Sequence, residues 1–184
     1  RVVHIGFGSG GTAHAVSLHP VSGIRIVEIS PAVLAASDRH FADINPGVLR
    51  DPRVRVEIND GRNFLLATDE TFEAVLSDSI HPRYAGNGSL YSEEYFRLAD
   101  RRLAPGGVIS MWLPMYSLSP SNFAMILRAF VDVFPQAAVW YEPSAINSFT
   151  VVTARKGDSP WDPAAIARGF ARPEVSGALA DIGL

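Results

Sequence analysis

The run Gly6-Phe7-Gly8-Ser9-Gly10-Gly11 limits what this chain can fold into more than any other feature. It follows Val2-Val3-His4-Ile5, which reads as a buried strand, and it opens a helix at about Thr12. Glycines let such a turn adopt positive φ and let backbone N–H groups approach a ligand, and the helix N-terminus behind them adds positive potential. Gly6, Gly8 and Gly11 also satisfy the G-x-G-x-x-G spacing of a nicotinamide dinucleotide site. The loop alone therefore leaves the choice between nucleoside ligands open.

Composition accommodates one such domain. The 184 residues are 47% hydrophobic and 19% charged, which is enough apolar material for a full core and too much for a disordered chain. Sixteen basic against nineteen acidic side chains give a formal charge of −3, so a strongly basic nucleic-acid binder is excluded as the default. There is no cysteine, which removes disulfides, thiolate zinc sites and cysteine nucleophiles together. The five histidines show no paired ligand spacing, and no metal is expected. No apolar stretch approaches the roughly 20 residues a membrane-crossing helix needs. The start, Arg1-Val2-Val3-His4, has no initiator methionine or leader and enters a strand at once, as expected for a fragment of a longer protein.

Apolar runs alternate with helical stretches in the manner of a mainly parallel sheet covered on both faces. Strands are predicted over 2–6, 24–29, 54–58, 74–78 and 107–113. Ser30-Pro31 and Ser119-Pro120 each place a capping hydroxyl before a proline at the first helical position, and Ser92 precedes Glu93 and Glu94. The helix from Pro120 has a buried stripe of Phe123, Ile126, Leu127, Phe130 and Phe134. Two further strand-like segments, 137–141 and 148–154, are separated by a six-residue loop and no helix, which implies an antiparallel hairpin closing the sheet. That order is the class I S-adenosylmethionine-dependent methyltransferase-like fold, a Rossmann-like three-layer sandwich, and not the six-stranded dinucleotide fold. Residues 1–156 form the cofactor-binding domain in this reading. Residues 157–184, rich in proline and alanine, form a short helix or irregular tail packing on it.

Glu28 ends the second strand twenty residues beyond Gly8, where a carboxylate can accept both ribose hydroxyls. Asp60, in Asn59-Asp60-Gly61-Arg62, stands at the turn after the third strand, where an acid can receive an adenine amino group. With the terminal hairpin, that acid favours an adenosyl-sulfur ligand over a nicotinamide one. Asp78 ends the fourth strand and faces the ligand side of an open α/β sheet. His4, His14, His19 and His40 read as structural.

Taken together, Ile5-Gly6-Phe7-Gly8-Ser9-Gly10-Gly11-Thr12, Glu28-Ile29-Ser30, Asp51-Pro52-Arg53-Val54, Asp60-Gly61-Arg62, Asp78-Ser79-Ile80-His81-Pro82, Leu90-Tyr91-Ser92-Glu93-Glu94-Tyr95-Phe96 and Leu103-Ala104-Pro105-Gly106-Gly107-Val108 resemble the spermidine synthase (polyamine aminopropyltransferase) family. The stretches around His81-Pro82-Arg83-Tyr84 and Trp112-Leu113-Pro114 are similar to spermidine-synthase-like domains of bacterial proteins with an N-terminal membrane-spanning part. The resemblance implies a transferase in which Gly6, Gly8, Ser9, Gly10 and Gly11 hold decarboxylated S-adenosylmethionine, Glu28 its ribose, and Asp60 with Gly61 its adenine. Asp78 then sits beside the aminopropyl group and the attacking amine. Tyr84 and Tyr91, with Tyr116, line the acceptor side. The implied partner is a small polyamine such as putrescine, not nucleic acid or membrane. The implied location is the cytoplasm, in a parent protein that is membrane-anchored, and the implied assembly is a homodimer. The resemblance also implies an N-terminal β-rich segment that completes the acceptor pocket, which is expected to lie outside the residues from Arg1 onward.

Two residues depart from the family pattern. Ser9 stands where the family has an acid that pairs with the ligand's terminal ammonium, and His81 where it has a second acid that handles the acceptor amine. Each lost charge-assisted contact costs about 1.5–3 kcal/mol. His81 reads either as a neutral base near pH 7 or as a turn residue before Pro82. Two alternatives stay open at this point: a small-molecule methyltransferase using intact S-adenosylmethionine, which Ser9 favours, and a non-catalytic nucleoside-binding module.

Overall fold

The computed structural model describes residues 1–78, 81–141, 148–157 and 161–181. Ser79 and Ile80, the 142–147 connection of the hairpin and Pro160 lie outside them. Seven strands form one sheet: β1 (Val2–Ile5), β2 (Ile24–Glu28), β3 (Val54–Ile58), β4 (Phe72–Ser77), β5 (Leu103–Pro114), β6 (Ala138–Tyr141) and β7 (Phe149–Arg155). Their order across the sheet is β3-β2-β1-β4-β5-β7-β6. β1 to β5 pair in parallel, and β7 runs antiparallel to both β5 and β6. The expected closing hairpin is therefore present. Consecutive strands leave β1 to one side and return on the other, so the chain reverses direction across the sheet between β1 and β4, where open α/β sheets form their ligand crevice.

Helices cover both faces, as the apolar strands require. On one face α3 (Gly61–Ala67), α4 (Glu93–Arg102) and α5 (Pro120–Val131) pack Phe64, Leu65, Tyr95, Phe96, Ile126 and Phe130 onto the sheet, joined by Phe134 just past α5. On the other, α1 (Gly11–Ser17) and α2 (Pro31–His40) enclose a smaller cluster of Phe7, Ala13, Ile24, Ile26 and Val48. Within α5 the stripe reads as expected: Ile126 and Phe130 are buried, while Phe123 and Leu127 pack partly buried against them. Arg53 fastens the layers at the sheet's far end. Its guanidinium pairs with Asp51 and donates to the carbonyls of Ser17 and His19, tying the end of α1 to the start of β3.

Some boundaries differ from the sequence reading for identifiable reasons. β5 begins at Leu103, four residues early, because the β4–β5 ladder shifts register between Phe72 and Ala74. Gly107 allows it: a Cβ there would press to 2.9 Å from the Ala104 carbonyl oxygen. Ser119 and Ser92 cap their helices by accepting from Asn122 N–H and Tyr95 N–H. Ser30 occupies the N-cap of α2 but makes no side-chain cap, and its N–H donates to Glu28. The segment after β7 holds two helices, α6 (Pro163–Phe170) and α7 (Pro173–Asp181), with no buried residue among those described. Among the described residues no helix is long and apolar enough to cross a membrane.

The two faces of α5 predict a contrast measurable by chemical denaturation. Phe130→Ala empties a fully buried position and is expected to cost about 3–5 kcal/mol, whereas Met125→Ala, on the outward face, stays within about 0.5 kcal/mol of the parent.

Candidate functional site

The glycine loop is held by groups distant in sequence. Gly10 closes the turn at φ 86°, and a Cβ there would lie 2.7 Å from the Phe7 ring and 2.8 Å from Asn45 Cβ, so no other residue fits. The carbonyl of Ser9 accepts from Ser37 Oγ at 2.7 Å and from Asn45 Nδ2 at 2.6 Å. Asn45 Nδ2 also donates to Ser37 Oγ at 2.9 Å, and both residues are buried. Neither Ser37 nor Asn45 is marked by any motif. They are found only by following where a buried backbone carbonyl obtains its donors.

Glu28 ties the loop to β2. One carboxylate oxygen accepts from Phe7 N–H at 2.8 Å and the other from Ser30 N–H at 2.9 Å. A carboxylate offers about four acceptor positions, so one on each oxygen remains for a ligand's hydroxyl groups. Asp60 is the N-cap of α3, with Oδ1 accepting from Asn63 N–H at 2.9 Å, which leaves Oδ2 available. Asp78, just past β4, donates its N–H to the Ile5 carbonyl and accepts from Thr12 Oγ1 at 2.8 Å.

These groups converge on a cleft of about 290 Å³ at the reversal point between β1 and β4, lined by Gly6, Gly8, Glu28, Ile29, Asp60 and Asp78 among others. Among the described residues three carboxylates border it and no arginine, lysine or histidine does. Such a lining favours a cationic nucleoside and repels a pyrophosphate. A second cleft of about 380 Å³ opens at the opposite end of the strands, between Arg25, Arg53, Arg55 and Glu70, away from all the predicted site residues. Its Arg25 and Arg53 are paired with Glu70 and Asp51. Among the described residues no group of three or more His, Asp or Glu side chains is arranged to hold a metal ion.

The acceptor-side residues are less uniform than expected. His81 is buried, and both ring nitrogens are engaged by backbone: Nδ1 accepts from Arg83 N–H at 3.1 Å, which makes Nε2 the donor to the Tyr116 carbonyl at 2.8 Å. The lone pair that a base would use is occupied, so this geometry makes His81 a brace between two loops and not a base. The Tyr91 ring is also buried, in the main core, and its hydroxyl sits 3.4 Å from the Trp112 carbonyl. Burial, then the nearby Asp78 carboxylate, pushes the Tyr91 hydroxyl's pKa up, so it stays protonated. Tyr84 and Tyr116 are the exposed tyrosines here; both rings pack against His81, and the Arg83 guanidinium lies over Tyr84.

The topology defines a class I methyltransferase-like domain. The spermine/spermidine synthase domain matches residues 1–159, and the chain belongs to that family. Similar proteins include a polyamine aminopropyltransferase of Aeropyrum pernix, 30% identical over 87% of this chain and 52% of that one, and a spermidine synthase of Coffea arabica, 37% identical over 81% and 49%. The chain thus spans about half the length of these relatives. Among solved structures, a spermidine synthase in complex with the transition-state analogue AdoDATO aligns with a TM-score of 0.81 at 26% identity, covering 96% of this chain and 64% of that one. Human methyltransferase-like protein 13 in complex with SAH shares the fold, with a TM-score of 0.73 at 18% identity, covering 97% and 81%.

Two measurements check this architecture. Asn45→Ala removes one of the two donors to the buried Ser9 carbonyl and is expected to cost about 2 kcal/mol in denaturant unfolding. Unchanged stability would mean the loop does not depend on that grip. The second concerns His4, whose burial lowers its pKa from 6.5 to about 4, against a smaller upward pull from Asp78. The unfolded ring takes up its proton as pH falls through 6.5 and the native ring only near 4, so this group's contribution to stability is lost as pH falls across that window, by about 3 kcal/mol in total. Unfolding followed at several pH values should show that slope in the parent and a shallower one in His4→Leu.

Proposed function

We propose that this chain is the nucleoside-binding catalytic part of a polyamine aminopropyltransferase like spermidine synthase. It transfers the aminopropyl group of decarboxylated S-adenosylmethionine to a polyamine acceptor such as putrescine and releases methylthioadenosine. The observation that carries the reading is the convergence of Glu28, Asp60 and Asp78, with no cationic side chain among the described residues, on the cleft beside the glycine loop. Membership of the spermine/spermidine synthase family supports it.

In this reading Gly6 and Gly8 let the loop's backbone approach the sugar, the free acceptor positions of Glu28 hold its hydroxyls, and Asp60 Oδ2 receives the adenine amino group. The sulfonium lies toward Asp78. The acceptor nitrogen attacks the carbon next to sulfur, the carbon–sulfur bond breaks with its electron pair going to sulfur, and the nitrogen's proton leaves to Asp78 and then to water. An amine attacks only when unprotonated, so the carboxylate serves both to orient it and to take the proton. Tyr84 and Tyr116 form the acceptor wall and Tyr91 offers it only a hydroxyl, while His81 holds the Tyr116 loop in place. The family resemblance adds a homodimer and a cytoplasmic domain to the proposal.

Thermal shifts with four ligands test it. At a hundred times its dissociation constant a ligand stabilises by about 2.7 kcal/mol, well within detection. Methylthioadenosine and decarboxylated S-adenosylmethionine are expected to raise the melting temperature, and NAD is not. Stabilisation by NAD alone refutes the proposal. A response to intact but not decarboxylated S-adenosylmethionine moves the chain to methyl transfer, the reading favoured by the uncharged Ser9. Asp60→Ala should weaken methylthioadenosine at least roughly tenfold, and Asp78→Asn in the full-length protein should abolish transfer while leaving nucleoside binding in place.

A further inference from the structure

β1 carries one polar side chain among apolar ones. His4 is fully buried, and neither Nδ1 nor Nε2 has a hydrogen-bond partner among the described residues. A neutral imidazole has one donor and one acceptor to satisfy. A buried polar group left without either is unusual in a folded protein and calls for a physical explanation.

The sheet register points to one. His4 stands opposite Ile26 of β2 and Leu76 of β4. Side chains alternate along a strand, so Asp78, two residues beyond Leu76, projects from the same face of the sheet as His4. The bond from Asp78 N–H to the Ile5 carbonyl continues the β1–β4 pairing to that position. The roof over this face is α1, whose Thr12 hydroxyl donates to the Asp78 carboxylate at 2.8 Å. The ring, the hydroxyl and the carboxylate therefore lie together under the start of α1. Electrostatics agree, since Asp78 is the charged group whose field acts on the His4 ring.

We propose that His4 is a positioning residue for Asp78: its ring N–H gives the carboxylate an inward hydrogen-bonding position beside Thr12, opposite the outward one that faces the acceptor amine. The proposal rests on the reading of Asp78 as the carboxylate that orients that amine. With the inward position available, the carboxylate alternates between two defined orientations. An apolar residue at position 4 would pack equally well and leave Thr12 as the sole inward anchor. Replacing an unpartnered buried polar side chain by an apolar one of similar size is neutral or stabilising, so stability and activity should move apart.

The variants His4→Leu, Asp78→Asn and their combination test this in the full-length protein. The ring ¹⁵N signals of His4, followed by NMR, require no turnover. Asp78→Asn is expected to shift them, and unmoved signals overturn the proposal. In transfer from decarboxylated S-adenosylmethionine to putrescine, His4→Leu should melt at or above the parent's temperature yet lose roughly tenfold or more in kcat, with the KM for the nucleoside unchanged. That loss should disappear when Asp78 is already Asn. Full activity in His4→Leu overturns the proposal, as does an equal proportional loss in both backgrounds. If the unsubstituted protein transfers nothing, the functional reading fails, and the ring signals still decide whether His4 and Asp78 are coupled.

Discussion

The Glu28 carboxylate is the joint on which the site depends. It is buried where β2 ends, and its two oxygens accept from Phe7 N–H in the glycine loop and from Ser30 N–H at the entry to α2. Hydrogen bonds from backbone N–H groups to a charged carboxylate are short and strong, so one side chain fixes the loop after β1 relative to the turn after β2. The second grip, by Ser37 and Asn45 on the Ser9 carbonyl, comes from α2 and the segment behind it. A loop held at both ends by neighbouring elements presents its amides without an ordering cost at the moment of binding, which is the general route to affinity through preorganisation. The parallel register of β1 with β2 and β4 then sets Glu28 and Asp78 on opposite sides of the loop.

Charge does the selecting. The cleft is bordered by Glu28, Asp60 and Asp78, and each already has a bond within the protein that orients it: two backbone amides for Glu28, the Asn63 N–H for Asp60, the Thr12 hydroxyl for Asp78. A ligand therefore meets carboxylates whose directions are set in advance. The phosphate-friendly amides of the glycine loop and helix α1 are offset by these negative groups, and on that ground the proposed ligand is a sulfonium nucleoside in spite of the loop's dinucleotide spacing.

Much of this was legible in the chain because it rests on local chemistry. The glycine loop, the strand-end position of Glu28, the turn acid Asp60 and the closing hairpin each depend on residues adjacent in sequence, and the structure puts them where the pattern places them. What was illegible depends on contacts across the sheet. Ser37 and Asn45 reach Ser9 from 28 and 36 residues away, and the His81 ring is satisfied by a carbonyl 35 residues on, so a histidine that reads as a candidate base turns out to be a brace. Ser30 stands at the N-cap of α2, yet its hydroxyl makes no cap and its N–H holds the Glu28 carboxylate. For the Ser9 and His81 contacts the partner lies far away in sequence, where no local pattern shows it.

A crystal structure of the protein with methylthioadenosine tests the central claim most directly. The account predicts the nucleoside in the cleft between β1 and β4, with both ribose hydroxyls on Glu28, the adenine amino group on Asp60 and the sulfur toward Asp78. Methylthioadenosine bound at the opposite end of the strands, beside Arg25 and Arg53, or bound in the cleft with its ribose away from Glu28, would contradict it.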